Sequence, residues 1–178
     1  MALETSRFDT ERLHVANWRS AQQDRVERRK MIEELATVLT PNVLRYLPVP
    51  SQLSDAPQAL DGWISAREGE SDVLTVRARG TSTLIGLLIL APFNEPGAAR
   101  VVHIGYLFAE PAWGKGYAKE LLAGLVEWQS SLGGPVTLLG GVEKGNAASA
   151  RVLEKAKFHL AMELSTEGTS MFRYEIPA

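Results

Sequence analysis

The chain has no cysteine among its 178 residues. That absence excludes a disulfide framework, a thiolate metal site and a cysteinyl acyl-enzyme intermediate, and no metal is expected. No apolar run approaches the roughly 20 residues that a membrane-crossing helix needs. The opening residues MALETSRFDTER lack the apolar stretch of a secretory leader, so the expected address is the cytoplasm. Charge of one sign is scarce as well: Lys and Arg number 19 against 21 Asp and Glu, a net −2. Such a balance offers no basic field for nucleic acid, and neither nucleic acid nor a membrane is an expected partner. What is present is 45% hydrophobic residues, enough for a chain of this length to bury roughly 70% of its unfolded surface. One compact domain over residues 1–178 is the expectation, as a monomer or a homodimer.

No internal repeat or biased segment divides the chain. Residues 12–18 (RLHVANW) alternate as a strand, and residues 22–39 switch to helical spacing. In that helix Val26, Met31, Ile32, Leu35 and Leu39 face inward, and Arg25, Glu27, Arg28, Arg29 and Lys30 supply the wet face. Thr40-Pro41 reads as an N-cap followed by proline at the first helical position, opening a short helix that Pro48 and Pro50 close. A further helix is expected from Ser54-Asp55 to about residue 69, with Leu60, Trp63 and Ile64 inward. Beyond it the period falls to two, predicting strands at residues 72–78, 83–93 and 100–108, with turns at Arg79-Gly80-Thr81 and Asn94-Glu95-Pro96-Gly97. The run TLIGLLILAPF (83–93) is apolar enough to be buried on both faces.

The second half alternates strand and helix. Residues 113–118 (WGKGYA) lead into a helix with Ala118, Leu121, Leu122, Leu125, Val126 and Leu132 on one stripe, which Gly133-Gly134-Pro135 stops. A strand at 136–142, a helix at 146–156 and a hairpin of 158–164 with 171–176 follow. Strands followed by a βαβα pattern predict an α+β fold around one central sheet.

The densest chemistry lies at residues 104–118, IGYLFAEPAWGKGYA. A buried-looking strand gives way to a tight loop and then to the first turn of an amphipathic helix. Backbone N–H groups at a helix N-terminus carry about half a positive charge, a seat for phosphate. Gly114 and Gly116 remove the Cβ atoms that would hold a diphosphate off those donors, and Lys115 and Lys119 add cations. No Ser or Thr follows Gly-Lys to hold magnesium, which excludes a P-loop NTPase, and no dinucleotide-type GxGxxG occurs. A plain glycine turn remains the alternative reading of this loop.

The stretch IGYLFAEPAWGKGYAKELL resembles the acetyl-CoA-binding motif of the GNAT N-acetyltransferases, Gln/Arg-x-x-Gly-x-Gly/Ala. Gly116 and Ala118 occupy the small positions, and Trp113 stands in the Arg/Gln slot. A Trp-Gly-x-Gly-Tyr-Ala run is similar to the RimJ/RimL-like branch, the ribosomal-protein N-terminal acetyltransferases. Thr10-Glu11-Arg12-Leu13 resembles that branch's opening block, and residues 146–155 (NAASARVLEK) resemble its Asn-x-x-Ser-x-x-x-Leu-x-Lys helix. The resemblance spans essentially the whole chain, in order. It implies a GNAT fold: a central mixed, mostly antiparallel sheet of about seven strands flanked by helices and splayed between the fourth and fifth strands. It also implies acetyl-CoA as co-substrate, with no metal.

In that family the pantetheine arm lies in the splay like an added strand, so Tyr106, Leu107 and Phe108 are expected to offer it backbone hydrogen bonds. Trp113, Gly114, Lys115, Gly116, Tyr117 and Ala118 are expected to hold the diphosphate. Gly140-Gly141 would mark either a close backbone approach there or a bulge without a ligand. Asn146 is expected to contact pantetheine, and Ser149 to give a proton to the departing thiolate, although both suit helix capping equally well. A backbone N–H at residues 106–108 is expected to polarise the thioester carbonyl.

Acyl transfer needs a neutral amine. A lysine-type amine with pKa near 10.4 is neutral in about one molecule in 2,500 at pH 7, and an α-amine near 7.8 in roughly one in seven. The branch commonly places a Glu before Ile-Gly-Tyr, and this chain has His103, whose imidazole type titrates near 6.5. His103 is therefore the expected general base, with a half-exposed strand histidine as the alternative. His14 and His159 have no such context and read as structural. The family's Lys-x-Gly-Phe ending is Lys155-Ala156-Lys157-Phe158 here, so a locally different turn is expected. Arg151, Lys155 and Lys157 read as a solvated helix face or as neutralisers of CoA phosphates. Trp18, Tyr46, Trp63 and Phe93, with the segment Arg45-Tyr46-Leu47-Pro48, line the acceptor end or fill the core.

The expected activity is acetyl transfer to a primary amine by direct attack in a ternary complex, the acceptor being a protein or peptide N-terminal α-amine. The alternatives are a small-molecule amine acetyltransferase, for a polyamine or an aminoglycoside, and a silent acyl-CoA-binding sensor.

Overall fold

The computed structural model describes residues 6–47, 52–53, 59–93 and 99–178. Strands β1 (Arg7–Asp9), β2 (Leu13–Asn17), β3 (Asp72–Ala78), β4 (Leu84–Phe93), β5 (Arg100–Phe108), β6 (Val136–Glu143), β7 (His159–Leu160) and β8 (Thr169–Ile176) form one sheet in the order β1-β2-β3-β4-β5-β6-β8-β7. Pairs β1–β2, β2–β3, β6–β8 and β7–β8 are antiparallel, and β5–β6 is parallel. The helices are α1 (Arg19–Gln23), α2 (Arg25–Val38), α3 (Pro41–Leu44), α4 (Ala59–Glu70), α5 (Tyr117–Ser131) and α6 (Ala147–Lys155). Among the described residues no helix is long and apolar enough to cross a membrane. Pro48, Pro50, the helix start at Ser54-Asp55 and the turn Asn94-Glu95-Pro96-Gly97 lie outside the described residues.

By contacts the chain divides into two compact units, Met1–Ile89 with Tyr106–Lys115, and Leu90–Gly105 with Gly116–Ala178. In the first, Met31, Leu35 and Val38 of α2 pack with Trp18, Trp63, Ile64, Val73, Leu84, Leu87 and Leu107. Trp18 and Trp63 meet edge to face at 6.4 Å and are buried, so both belong to the core. The single expected helix at 22–39 is instead two, broken at Asp24. The Asp24 carboxylate accepts from the N–H groups of Val26 and Glu27 and so caps α2. Val26, expected inward, is 74% exposed. It precedes Met31 by five residues, which at about 100° per residue places it far off the stripe. Thr40 caps α3 ahead of Pro41 as expected, its Oγ1 accepting from the Val43 N–H. Glu34 of α2 accepts from both Arg77 Nη atoms at 2.6 and 2.8 Å, and this pairing holds its carboxyl below the usual carboxylate range. The eighth strand, β1, is the one that the sequence did not reveal. It has three residues, one of them buried, and His14 Nδ1 sits 2.6 Å from Asp9 Oδ1 across the hairpin.

In the second unit Leu121, Leu122 and Leu125 of α5 and Leu153 of α6 are buried, with Leu138, Phe158 and Phe172. Leu132, expected on the α5 stripe, lies just past the helix end and is 37% exposed. Gly140 faces α6: a Cβ there would stand 3.3 Å from both Leu153 δ-carbons and 3.6 Å from Ile104. The space that a side chain at Gly140 would take is thus filled by Leu153 and Ile104.

The end of α6 also departs from expectation. Lys157 adopts φ +66°, the Phe158 N–H reaches the Leu153 carbonyl at 3.0 Å, and the Lys157 N–H reaches the Glu154 carbonyl at 2.9 Å. The left-handed turn is therefore kept, with lysine in glycine's place. Lys157→Gly is expected to stabilise the protein by up to about 1 kcal/mol, because it removes a Cβ from the left-handed region. At this chain length that is a melting temperature higher by about 2–4 °C. An unchanged or lower melting temperature would show that the lysine carries no strain there.

Candidate active site

The candidate residues divide between the units. Tyr106, Leu107, Phe108, Trp113, Gly114 and Lys115 belong to the first, and His103, Gly116, Tyr117, Ala118, Asn146 and Ser149 to the second.

In the first unit the end of β5 is held tightly. Gly86 of β4 sits so close that a Cβ on it would lie 2.4 Å from the Leu107 carbonyl oxygen and 2.9 Å from Phe108 Cδ1. The Ala109 N–H donates to the Ile85 carbonyl at 2.8 Å and fixes the register. A 3-10 turn, Glu110–Ala112, follows. Trp113 then folds back, its indole Nε1 donating to the Phe108 carbonyl at 2.7 Å while half of the residue stays exposed. The Phe108 carbonyl, one of the expected pantetheine contacts, thus already accepts from the protein. Glu110 accepts from the Thr40 hydroxyl at 2.6 Å and the Asn42 amide at 3.2 Å, and these bonds hold its carboxyl below the usual carboxylate range. The short helix α3 is thereby tied to the turn after β5. Gly114 has φ +71°, with nothing within 4 Å of a Cβ built on it. Arg12 Nη1 donates to the Lys115 carbonyl at 3.0 Å.

In the second unit β5 and β6 are paired from Arg100 opposite Val136 to Ile104 opposite Gly140. Gly116, at φ +80°, opens α5 and no side chain caps it. His103 stands opposite Leu139 and is exposed. Among the described residues its ring has no hydrogen-bond partner, and no bond joins it to Ser149. Asn146 Oδ1 accepts from the Ser149 N–H at 3.1 Å and caps α6. The capping alternative therefore holds for Asn146 whatever else it does. Arg100 donates to Gln129 of α5.

The sequence passed over Arg12, Gly86 and Glu110 as parts of this region. The glycine rule applied to Gly140 and Gly141 also fits Gly86, which interrupts an apolar strand. For Arg12 the only signal was its place in the Thr-Glu-Arg-Leu block. The Thr40, Asn42 and Glu110 cluster joins residues about 70 positions apart, and no local pattern announces it.

The model of the acetyltransferase (GNAT) domain matches residues 25–159, well over half of the chain. The chain is a member of the GNAT family and an acetyl-CoA-dependent N-acetyltransferase. No curated protein sequence matches it. Among solved structures, the GNAT-family acetyltransferase from Bacillus anthracis is similar at a TM-score of 0.68 and 16% identity, over 97% of this chain and 98% of that one. The ribosomal L7/L12 α-N-protein acetyltransferase RimL, solved with coenzyme A, aligns at 0.70 and 14% identity, over 96% and 98%. Spermidine N-acetyltransferase from Vibrio cholerae, solved with CoA and spermine, aligns at 0.66 and 17%, over 93% and 95%. These likenesses establish the fold.

Proposed function

We propose that this chain acts as one catalytic domain that moves acetyl from acetyl-CoA to the α-amino group of a protein or peptide N-terminus, by direct attack in a ternary complex. The observation that carries the reading is the opening of α5: a left-handed glycine without a side-chain cap, preceded by a second left-handed glycine. Such a turn directs main-chain N–H groups outward, with the helix dipole behind them, as a diphosphate requires. The open space at Gly114 suits an anion drawn close to backbone. The family model runs through both compact units, which supports treating them as one catalytic domain.

In this reading Tyr106, Leu107 and Phe108 present the edge of β5 to the pantetheine amides. Trp113, Gly114, Lys115, Gly116, Tyr117 and Ala118 hold the diphosphate, and Asn146 contacts pantetheine while capping α6. His103 takes a proton from the acceptor ammonium, directly or through water. The neutral nitrogen attacks the thioester carbonyl carbon, and a β5 backbone N–H stabilises the oxyanion. The C–S bond then breaks, the CoA thiolate leaves and takes a proton from Ser149, and the second proton of the attacking nitrogen, released as the amide forms, returns to the Ser149 oxygen through water. A thiol near pKa 8.5 departs without great need of an acid, so Ser149 is the most dispensable of these groups.

The RimJ/RimL-like pattern of residues 10–13, 113–118 and 146–155 supports an α-amine acceptor, and the likeness to a spermidine acetyltransferase keeps a polyamine as the second reading. A panel of N-terminal peptides, polyamines and aminoglycosides, followed by CoA release, decides between them. We expect peptide N-termini to turn over best. Turnover of free amines alone would remove the N-terminal reading, and tight acetyl-CoA binding without release on any amine would leave an acyl-CoA sensor.

A further inference from the structure

Arg12 reaches the glycine loop from the other end of the sequence. Its Nη1 donates to the Lys115 carbonyl at 3.0 Å, across 103 positions of chain. The turn that carries it is itself held. The Thr10 N–H donates to the Leu13 carbonyl at 2.9 Å, and the Leu13 N–H to Thr10 Oγ1 at 3.1 Å. From the β3–β4 turn, Arg79 donates its N–H to the Arg12 carbonyl at 2.9 Å and its Nη1 to the Thr10 carbonyl at 2.8 Å. The guanidinium thus approaches the loop from a braced support.

The carbonyl that Arg12 holds belongs to the peptide joining Lys115 to Gly116, between two glycines at φ +71° and +80°. A trans peptide is planar, so its C=O and N–H point in opposite directions. Glycine takes either sign of φ with nearly equal ease, and this plane could turn over at little cost if its oxygen were left to water. A charged donor on the oxygen prevents that, and fixing the oxygen fixes the opposite direction for the Gly116 N–H.

We propose that Arg12 is a positioning residue for the cofactor: it locks the 115–116 peptide so that the Gly116 N–H stays aimed at the CoA diphosphate. The inference rests on the acetyl-CoA reading of this loop. Its test is CoA affinity by calorimetry together with steady-state kinetics. Arg12→Ala is expected to weaken CoA binding and raise the KM for acetyl-CoA by about 10-fold, with kcat and the KM for the amine within about twofold. Arg12→Lys, which retains a charged donor, is expected to recover most of the loss. S-acetylpantetheine, which lacks the diphosphate, should serve wild type and Arg12→Ala equally. If the alanine variant fails to fold, Arg12→Gln takes its place with the same readouts. Undiminished CoA affinity, an equal loss with S-acetylpantetheine, or a loss that high salt erases would each overturn the assignment, the last by making Arg12 a screened charge. A wild type that binds no CoA would overturn the underlying reading of the loop instead.

Discussion

Replacing His103 by alanine is expected to lower turnover by about 10²-fold at neutral pH while CoA affinity stays within about twofold. The argument starts from the acceptor. An amine bound as its ammonium form has no lone pair, and the protein must remove a proton before attack. Histidine at this strand position is exposed, opposite Leu139 on β6, so its ring has access to water. The size of the effect depends on the amine. For an α-amine near pKa 7.8 the neutral fraction is already substantial, and for an amine near 10.4 it is minute, so the alanine variant should lose more with the second type. Raising the pH toward the acceptor's own pKa should then shrink the deficit. A deficit equal at pH 7 and pH 9 would mean that His103 supplies a contact rather than a base, and undiminished turnover would remove it from the mechanism.

What could be read from the sequence follows the physical range of each signal. The boundaries of β3 and β5 were legible because an alternating run reports its own burial, and the Thr40-Pro41 start of α3 because capping is local. Strand β1 was not, since three residues with one buried carry too little periodicity. The break at Asp24 was hidden because an aspartate within a helical pattern reads as wet face until the backbone around it is seen. The glycine loop was legible as a stretch of sequence, but the grip on it was not. Arg12 and Glu110 act on partners about 70 to 100 positions away, and such pairs are fixed by tertiary structure alone. For the paired aromatics Trp18 and Trp63, residue type left acceptor end and core open, and burial decides for the core.

The second large effect is expected at Gly86. Some glycines of this chain have room for a methyl group: nothing lies within 4 Å of a Cβ built on Gly62, in the interior of α4. Gly86 differs because the atom it would strike, at 2.4 Å, is the Leu107 backbone oxygen, with the Phe108 ring at 2.9 Å. A side-chain tip could rotate away, but a carbonyl within a strand moves only if the strand moves. The neighbouring bond from the Ala109 N–H to the Ile85 carbonyl opposes that movement. Gly86→Ala is therefore expected to destabilise by about 1–3 kcal/mol, a melting temperature lower by roughly 2–12 °C at this size. Gly62→Ala, by contrast, should be neutral or raise stability by about 0.5–1 kcal/mol, since alanine suits a helix interior better than glycine. Because the displaced residues, Leu107 and Phe108, are those proposed to meet pantetheine, the Gly86 variant should also show a KM for acetyl-CoA raised by about 10-fold at temperatures where it remains folded. A lowered melting temperature with an unchanged KM would separate the packing of β5 from its proposed use as a cofactor edge. Unchanged stability would mean that β4 yields at this point, and that the close approach of Gly86 to Leu107 is incidental to the fold.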